Sequence, residues 1–290
     1  MNFMSFILPN LTNNDMFRIN FRIKSPDKII PFGDNEKHLS WFGLTDGILW
    51  INAGDKIIYE YSQAALELWK NEFKYNDYYL SRFFEDISEI FAYIAAPVPR
   101  FFYEKINDFP QTANKWNNLY SEKCDDEYFD FLDNKYEFLT SWYYSRMIDS
   151  AYLKGGPRIF FFRCGEKITI RWESDPVLEN NVNIWTFPCG TYEIGYSGFV
   201  SEIKRAVTVF LNDMDEQIIR VIDSPPADVR IDKNKLTREN IHRKEAFLQK
   251  LSFLDDPKNI PGDFYDIDPD WDKLFSLYNE MLFETDKMKG

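Results

Sequence analysis

The residues of this chain that could do chemistry are two histidines, three cysteines and several closely spaced carboxylates. His38 stands just before Trp41 and His242 lies in a basic run, so neither pairs in sequence with the partners that a triad or a zinc site needs. Both read as surface residues. Cys124, Cys164 and Cys189 are an odd number at wide spacing, which suits neither a disulfide framework nor a CxxC knuckle; they read as reduced core residues. Gly190, Gly195 and Gly198 match neither the dinucleotide fingerprint nor the phosphate loop, and no lysine follows them. No cofactor is expected.

The carboxylates offer three patterns. Asp266, Asp268, Asp270 and Asp272 alternate like the start of a calcium loop, but Trp271 stands where the loop turns on Gly, and Leu277 stands where a Glu should close it. Acid at a helix N-terminus accounts for the same residues through the helix dipole. Glu85 and Glu89 are spaced i, i+4, as a glycosidase or phosphodiesterase pair could be, yet with Arg82 on the same turn they read as a solvated face. The densest signature is Trp41-Phe42-Gly43-Leu44-Thr45-Asp46-Gly47, continued by Leu49-Trp50-Ile51. Thr45-Asp46-Gly47 is tight-turn chemistry, with Gly free to take positive φ and Asp able to bond its own backbone, and it reads as a structural corner. The alternative is a hydrolase with an unfamiliar carboxylate site, Asp46 acting with the acids near Glu85, which requires carboxylates of shifted pKa converging in a deep polar pocket.

These residues must be positioned by elements that the hydrophobic pattern outlines. Phe17, Ile19, Phe21 and Ile23 alternate with Arg18, Asn20, Arg22 and Lys24, the period of a half-buried strand. Residues 47–53 and 56–61 flank Gly54-Asp55 as a hairpin, and residues 157–164 and 167–173 flank Gly165-Glu166 as a second. Shorter strands are predicted around 184–187 and 191–194. Apolar residues recurring at three and four predict a helix over 77–95, stopped by Pro97 and Pro99, and another over 112–123. A long helix is predicted from about 126 to 153, with Phe129, Leu132, Tyr136, Leu139, Tyr143 and Met147 as its inner stripe. A helix from Ser197 or Ser201 through Ile222 and another over 235–253 follow, then a C-terminal helix that Asp268 could cap with Pro269 at its first position. Strand blocks separated and followed by helices predict an α+β fold, antiparallel hairpins forming a sheet packed by several α-helices. Pro225-Pro226 is the expected joint between a main domain (1–224) and a helical extension (225–290) packed on it, unless the whole chain is a single domain.

Composition bounds the function classes. With 44% apolar and 18% aromatic residues the 290-residue chain can bury a large core, so disorder is not expected. Residues 1–10 lack the basic start and apolar length of a signal sequence, and no run approaches the ~18 apolar residues of a membrane span, so a cytoplasmic protein without membrane contact is expected. A net charge of −13 makes nucleic acid an unfavourable partner. The acid is segregated: residues 122–137 carry seven Asp/Glu against two Lys, and residues 255–290 carry ten against four. Such runs are either solvated faces or docking surfaces for something basic.

The W-F-G-L-T-D-G-x-x-W-I run, Tyr78-Tyr79-Leu80 with Glu85-Asp86, the Pro97-Val98-Pro99 stop and Gly156-Pro157-Arg158-Ile159 before a strand resemble an uncharacterised bacterial family of about this length, from Phe17 to roughly Met214. The resemblance implies no catalytic residue, metal or cofactor. It implies a context, that of small acidic immunity proteins found beside secreted polymorphic toxins. On that reading the partner is a cognate, basic toxin domain, a nuclease or an ADP-ribosyltransferase, whose active site the chain occludes. The expected contact residues are Asp125, Asp126, Glu127, Tyr128, Asp130 and Asp133 in the first acidic run, and Asp263, Phe264, Asp266 and Asp268 in the second. Asp126, Asp130 and Asp133 are expected on one helix face, away from Phe129 and Leu132. Tyr128 and Phe264 are the expected aromatic anchors.

Overall fold

The computed structural model describes residues 16–34, 36–174, 182–262 and 267–287. Strand β1 (Phe17–Ile23) runs antiparallel to β2 (Asp46–Ala53) in unbroken register, from Phe17 opposite Ala53 to Ile23 opposite Gly47. The chain reverses at Gly54, whose φ of 65° suits glycine, into β3 (Lys56–Ile58), which pairs with one end of β2. After helix α1 (Gln63–Trp69), capped by the Ser62 hydroxyl, β4 (Asn76–Tyr79) takes the other end of the same edge, Leu49 standing opposite Asn76.

Helical segments and a second set of strands then build the rest of the architecture. Helices α2 (Leu80–Glu89) and α3 (Phe91–Ala95) lead to α4 (Arg100–Tyr103) and α5 (Phe109–Ser121). Helix α6 (Asp125–Phe131) passes through a π-helical stretch, Leu132–Tyr136, into α7 (Glu137–Tyr144). A second antiparallel sheet follows in simple order: β5 (Met147–Asp149), β6 (Arg158–Cys164), β7 (Lys167–Glu173) and β8 (Cys189–Gly195). Three long helices close the chain, α8 (Tyr196–Asp223), α9 (Lys233–Leu251) and α10 (Trp271–Asp286).

Two cores share strand β6. Its side chains alternate, Ile159 and Phe161 entering a core built with the first sheet, α2, α3, α8 and α9, while Phe160 and Phe162 enter a second built by α4 to α7 and α10. The run Ile159-Phe160-Phe161-Phe162 is therefore apolar without interruption because both faces of the strand are covered, each Phe contributing about 1.5–3 kcal/mol by leaving water. On the other sheet, β1 is an edge. Helix α8 covers it: Glu202 accepts the Ile19 N–H at 2.7 Å, and Arg205 donates to the Ile19 carbonyl at 2.6 Å, so side chains replace the missing neighbour strand.

The α+β class is as expected, with antiparallel hairpins at Gly54-Asp55 and Gly165-Glu166, but the strands form two four-stranded sheets rather than one. The helix expected over 77–95 gives up its first turn to β4 and breaks at Ile90, where φ and ψ are −100° and 5°. The free edge of β2 captures Asn76–Tyr79, an attraction that a local periodicity cannot register. Likewise the helix expected to reach 153 stops at Tyr144, because residues 147–149 pair with β6, Met147 opposite Phe160. Residues 184–187 make a single bridge, Trp185 to Tyr61, not a strand. Helix α10 is capped by Asp270, which accepts the Lys273 N–H at 3.0 Å; Asp268 instead takes the Trp271 indole N–H at 3.1 Å. The cysteines are free, but Cys124 and Cys189 are exposed and Cys164 is half-buried, so they are not core residues: Cys124 stands at a helix start and Cys189 opens the outer strand β8.

Candidate functional surface

The Trp41–Gly47 run folds into a 3-10 turn (Gly43–Thr45) that opens onto β2. Its side chains are spent on packing. The Thr45 hydroxyl donates to the Phe42 carbonyl at 2.7 Å and lies 3.0 Å from the Ser81 hydroxyl. Gly47 does not take positive φ, as the turn reading expects; it is required because a Cβ there would stand 2.6 Å from the Arg22 carbonyl oxygen and 2.9 Å from Leu80. Asp46 does not bond its own turn either. Both its oxygens hold Lys24 Nζ, at 2.9 and 3.0 Å, across the β1–β2 pair. Trp41 is fully buried, its indole N–H donating to Asn240 Oδ1 at 2.9 Å and its ring facing the Arg243 guanidinium at 4.3 Å.

That corner therefore seats α9, and beside it run two adjoining grooves. One, of about 430 Å³, lies between α2 and α9; the other, of about 260 Å³, has Trp41 in its wall. Glu239 lines both, His242 lines the first and His38 the second, and both histidines are exposed as expected. Ion pairs span the larger groove: Arg243 bonds Glu85 on α2 and, at 2.9 Å, Glu239 on its own helix, while Lys250 meets Glu89 at 2.5 Å. Burial pushes the Glu85 carboxyl up, with Arg243 opposing, and holds Asp86 at about 6, with Arg82 opposing. Asp46, bound to Lys24, is not in the lining of this groove. Among the described residues no group of three His, Cys, Asp or Glu is placed to hold a metal ion.

Half of the cations of α9 are thus paired inside the fold. Although the helix carries six Lys/Arg against two Glu, Arg243 and Lys250 are paired as above and Lys244 meets Asp215 on α8 at 2.5 Å. The first acidic run is the reverse case. Asp125, Asp126, Glu127, Asp130 and Asp133 are all exposed, and among the described residues Glu127 alone of the five is in an ion pair, with Lys123. Asp130 accepts the Asn134 amide at 2.8 Å.

The exposed aromatic residue of that run is Phe129 rather than Tyr128. Tyr128 is half-buried and donates its hydroxyl to Asn117 Oδ1 at 3.2 Å, whereas Phe129 is 59% exposed. Phe129 therefore lies among the acids, with Asp125 and Asp126 four and three residues before it on its own side of the helix, not opposite them. Periodicity missed this because of the π-helical stretch. At about 100° per residue, Phe129 would lie roughly 80° from Leu139 in a continuous α-helix and about 180° from it once one residue is looped out. Phe131 takes the inward slot instead. In the second run, Asp263, Phe264 and Asp266 lie outside the described residues, while Asp268 is exposed and engaged with Trp271. No helix among the described residues is long and apolar enough to cross a membrane.

No curated protein and no solved structure matches the chain. A family model does, over residues 18–275. With nearly the whole chain covered, it belongs to the family of unknown function DUF5984.

Proposed function

We propose that this chain is an immunity protein, which binds a cognate secreted bacterial toxin domain in the cytoplasm and occludes its active site without chemistry of its own. The observation that carries the reading is the unequal treatment of charge. Three of the six cations of α9 are paired within the fold, whereas α6 and the π-helical stretch after it present four exposed carboxylates outside any ion pair among the described residues, from Asp125 to Asp133. Unpaired acid on one face gives a potential that steers a basic cleft and speeds association. A nuclease or an NAD-dependent ADP-ribosyltransferase has such a cleft, since its substrate is anionic. The resemblance of the Trp41–Ile51 run to proteins found beside toxins supplies the class of partner. The test is to purify the toxin domain encoded in the adjacent reading frame and titrate it with the chain. The reading expects a one-to-one complex and loss of the toxin's activity at equivalence; full toxin activity in excess chain contradicts it.

A further inference from the structure

We infer that Phe129 is the apolar anchor of the docking face, seated on binding in an apolar socket of a basic protein domain, with Asp125, Asp126 and Asp130 around it. This deepens the immunity reading and rests on it.

Phe129 belongs to neither core and is 59% exposed. The inward slot of α6 belongs to Phe131, which stacks on Tyr120 with centroids 3.8 Å apart and meets Trp116 edge-on at 4.8 Å. The ring nearest to Phe129 is that of its neighbour Tyr128, tilted, with centroids 6.1 Å apart. Other exposed aromatics are engaged more closely: Phe275 packs edge-on against Phe101 at 4.8 Å, and Lys287 sits 4.0 Å over Phe283. The π-helical stretch is what turns Phe129 outward, since an uninterrupted helix would bring it back toward the core stripe. A bulky ring held in water amid charges matches the composition of a binding hot spot, an aromatic centre with a polar rim. The rim decides the occupant. Three exposed aspartates outside any ion pair among the described residues repel an acidic surface, a second copy of this acidic chain included, and attract a basic one.

The experiment measures binding of the purified toxin domain from the adjacent reading frame to the wild-type chain, to Phe129→Ala and to Leu248→Ala, the last removing a similarly exposed apolar residue, 52% exposed on α9. Thermal unfolding of Phe129→Ala should stay close to wild type, because the ring is 59% exposed and belongs to neither core. The dissociation rate of Phe129→Ala should rise by ~10-fold or more with little change in association rate, and Leu248→Ala should behave as wild type. A smaller rise, with wild-type chain still binding, overturns the anchor and leaves the immunity reading in place. Failure of the wild-type chain to bind overturns that reading and the anchor with it. A wild-type dimer that Phe129→Ala dissolves shows a second copy as the occupant and also overturns the inference.

Discussion

The guanidinium of Arg243 lies over the ring of Trp41, 4.3 Å from its centroid, and the same arginine bonds Glu85 and Glu239. One fully buried indole thus fixes where α9 sits, through the ring face and through the N–H that Asn240 accepts. Trp41→Phe keeps an aromatic face but leaves the Asn240 oxygen without that donor, so it should cost about 1–3 kcal/mol. Trp41→Ala adds a cavity and should cost about 3–5 kcal/mol. Urea denaturation checks both, and a Trp41→Phe variant as stable as wild type would show that the corner does not hold the helix.

Asp86 gives the fold a distinctive response to pH. Its folded pKa of about 6 lies above the ordinary 3.8, with burial as the largest cause, so the folded state binds the proton more tightly than the unfolded chain. Its contribution is fully present below about pH 4 and is lost as pH rises to about 6. After discounting for its half-exposed position, Asp86→Asn should raise stability at pH 7 by about 1 kcal/mol and flatten the profile between pH ~4 and ~6. Denaturation midpoints of the two proteins across that range check it; identical profiles contradict it.

Two glycines separate steric from conformational need. A Cβ on Gly156 would stand 1.9 Å from the Ser150 carbonyl oxygen, whereas at Gly165, with φ of 58°, nothing lies within 4 Å. Gly156→Ala should cost about 3 kcal/mol or more by forcing the backbone apart. Gly165→Ala should cost only about 1 kcal/mol, from the left-handed conformation alone. Equal losses in thermal unfolding would mean that the Ser150–Gly156 turn yields more easily than its packing implies.

If the acid of α6 steers the partner, Asp126→Asn/Asp130→Asn/Asp133→Asn should slow toxin association about 10-fold at low salt and flatten its salt dependence, with stability changed by no more than about 0.5 kcal/mol. Asp263→Asn/Asp266→Asn/Asp268→Asn is the matching variant in the second run. Stopped-flow association at two salt concentrations measures both. Unchanged rates in the two variants would make the acid a solubilising surface.

What the sequence discloses here follows the range of each interaction. The alternation of Phe17 to Ile23 and the Gly165-Glu166 turn are local, and both appear where they were expected. Strands β4 and β5 are short pieces of helix-like sequence captured by the free edges of β2 and β6, which no local window contains. The extra residue in Leu132–Tyr136 has no mark in composition, yet it reverses which side of α6 carries Phe129. The Trp41 run was visible as a signature, but its reason lies on a helix some two hundred residues away, in the contacts of Asn240 and Arg243. The acidic run itself was legible, and its lack of internal cations was not.

The immunity reading is tested most directly by survival. Cells expressing the toxin domain of the adjacent reading frame should die without this chain and grow with it, and they should grow less well with a chain carrying both Phe129→Ala and the three α6 aspartate substitutions. Equal death with and without the wild-type chain would contradict the account.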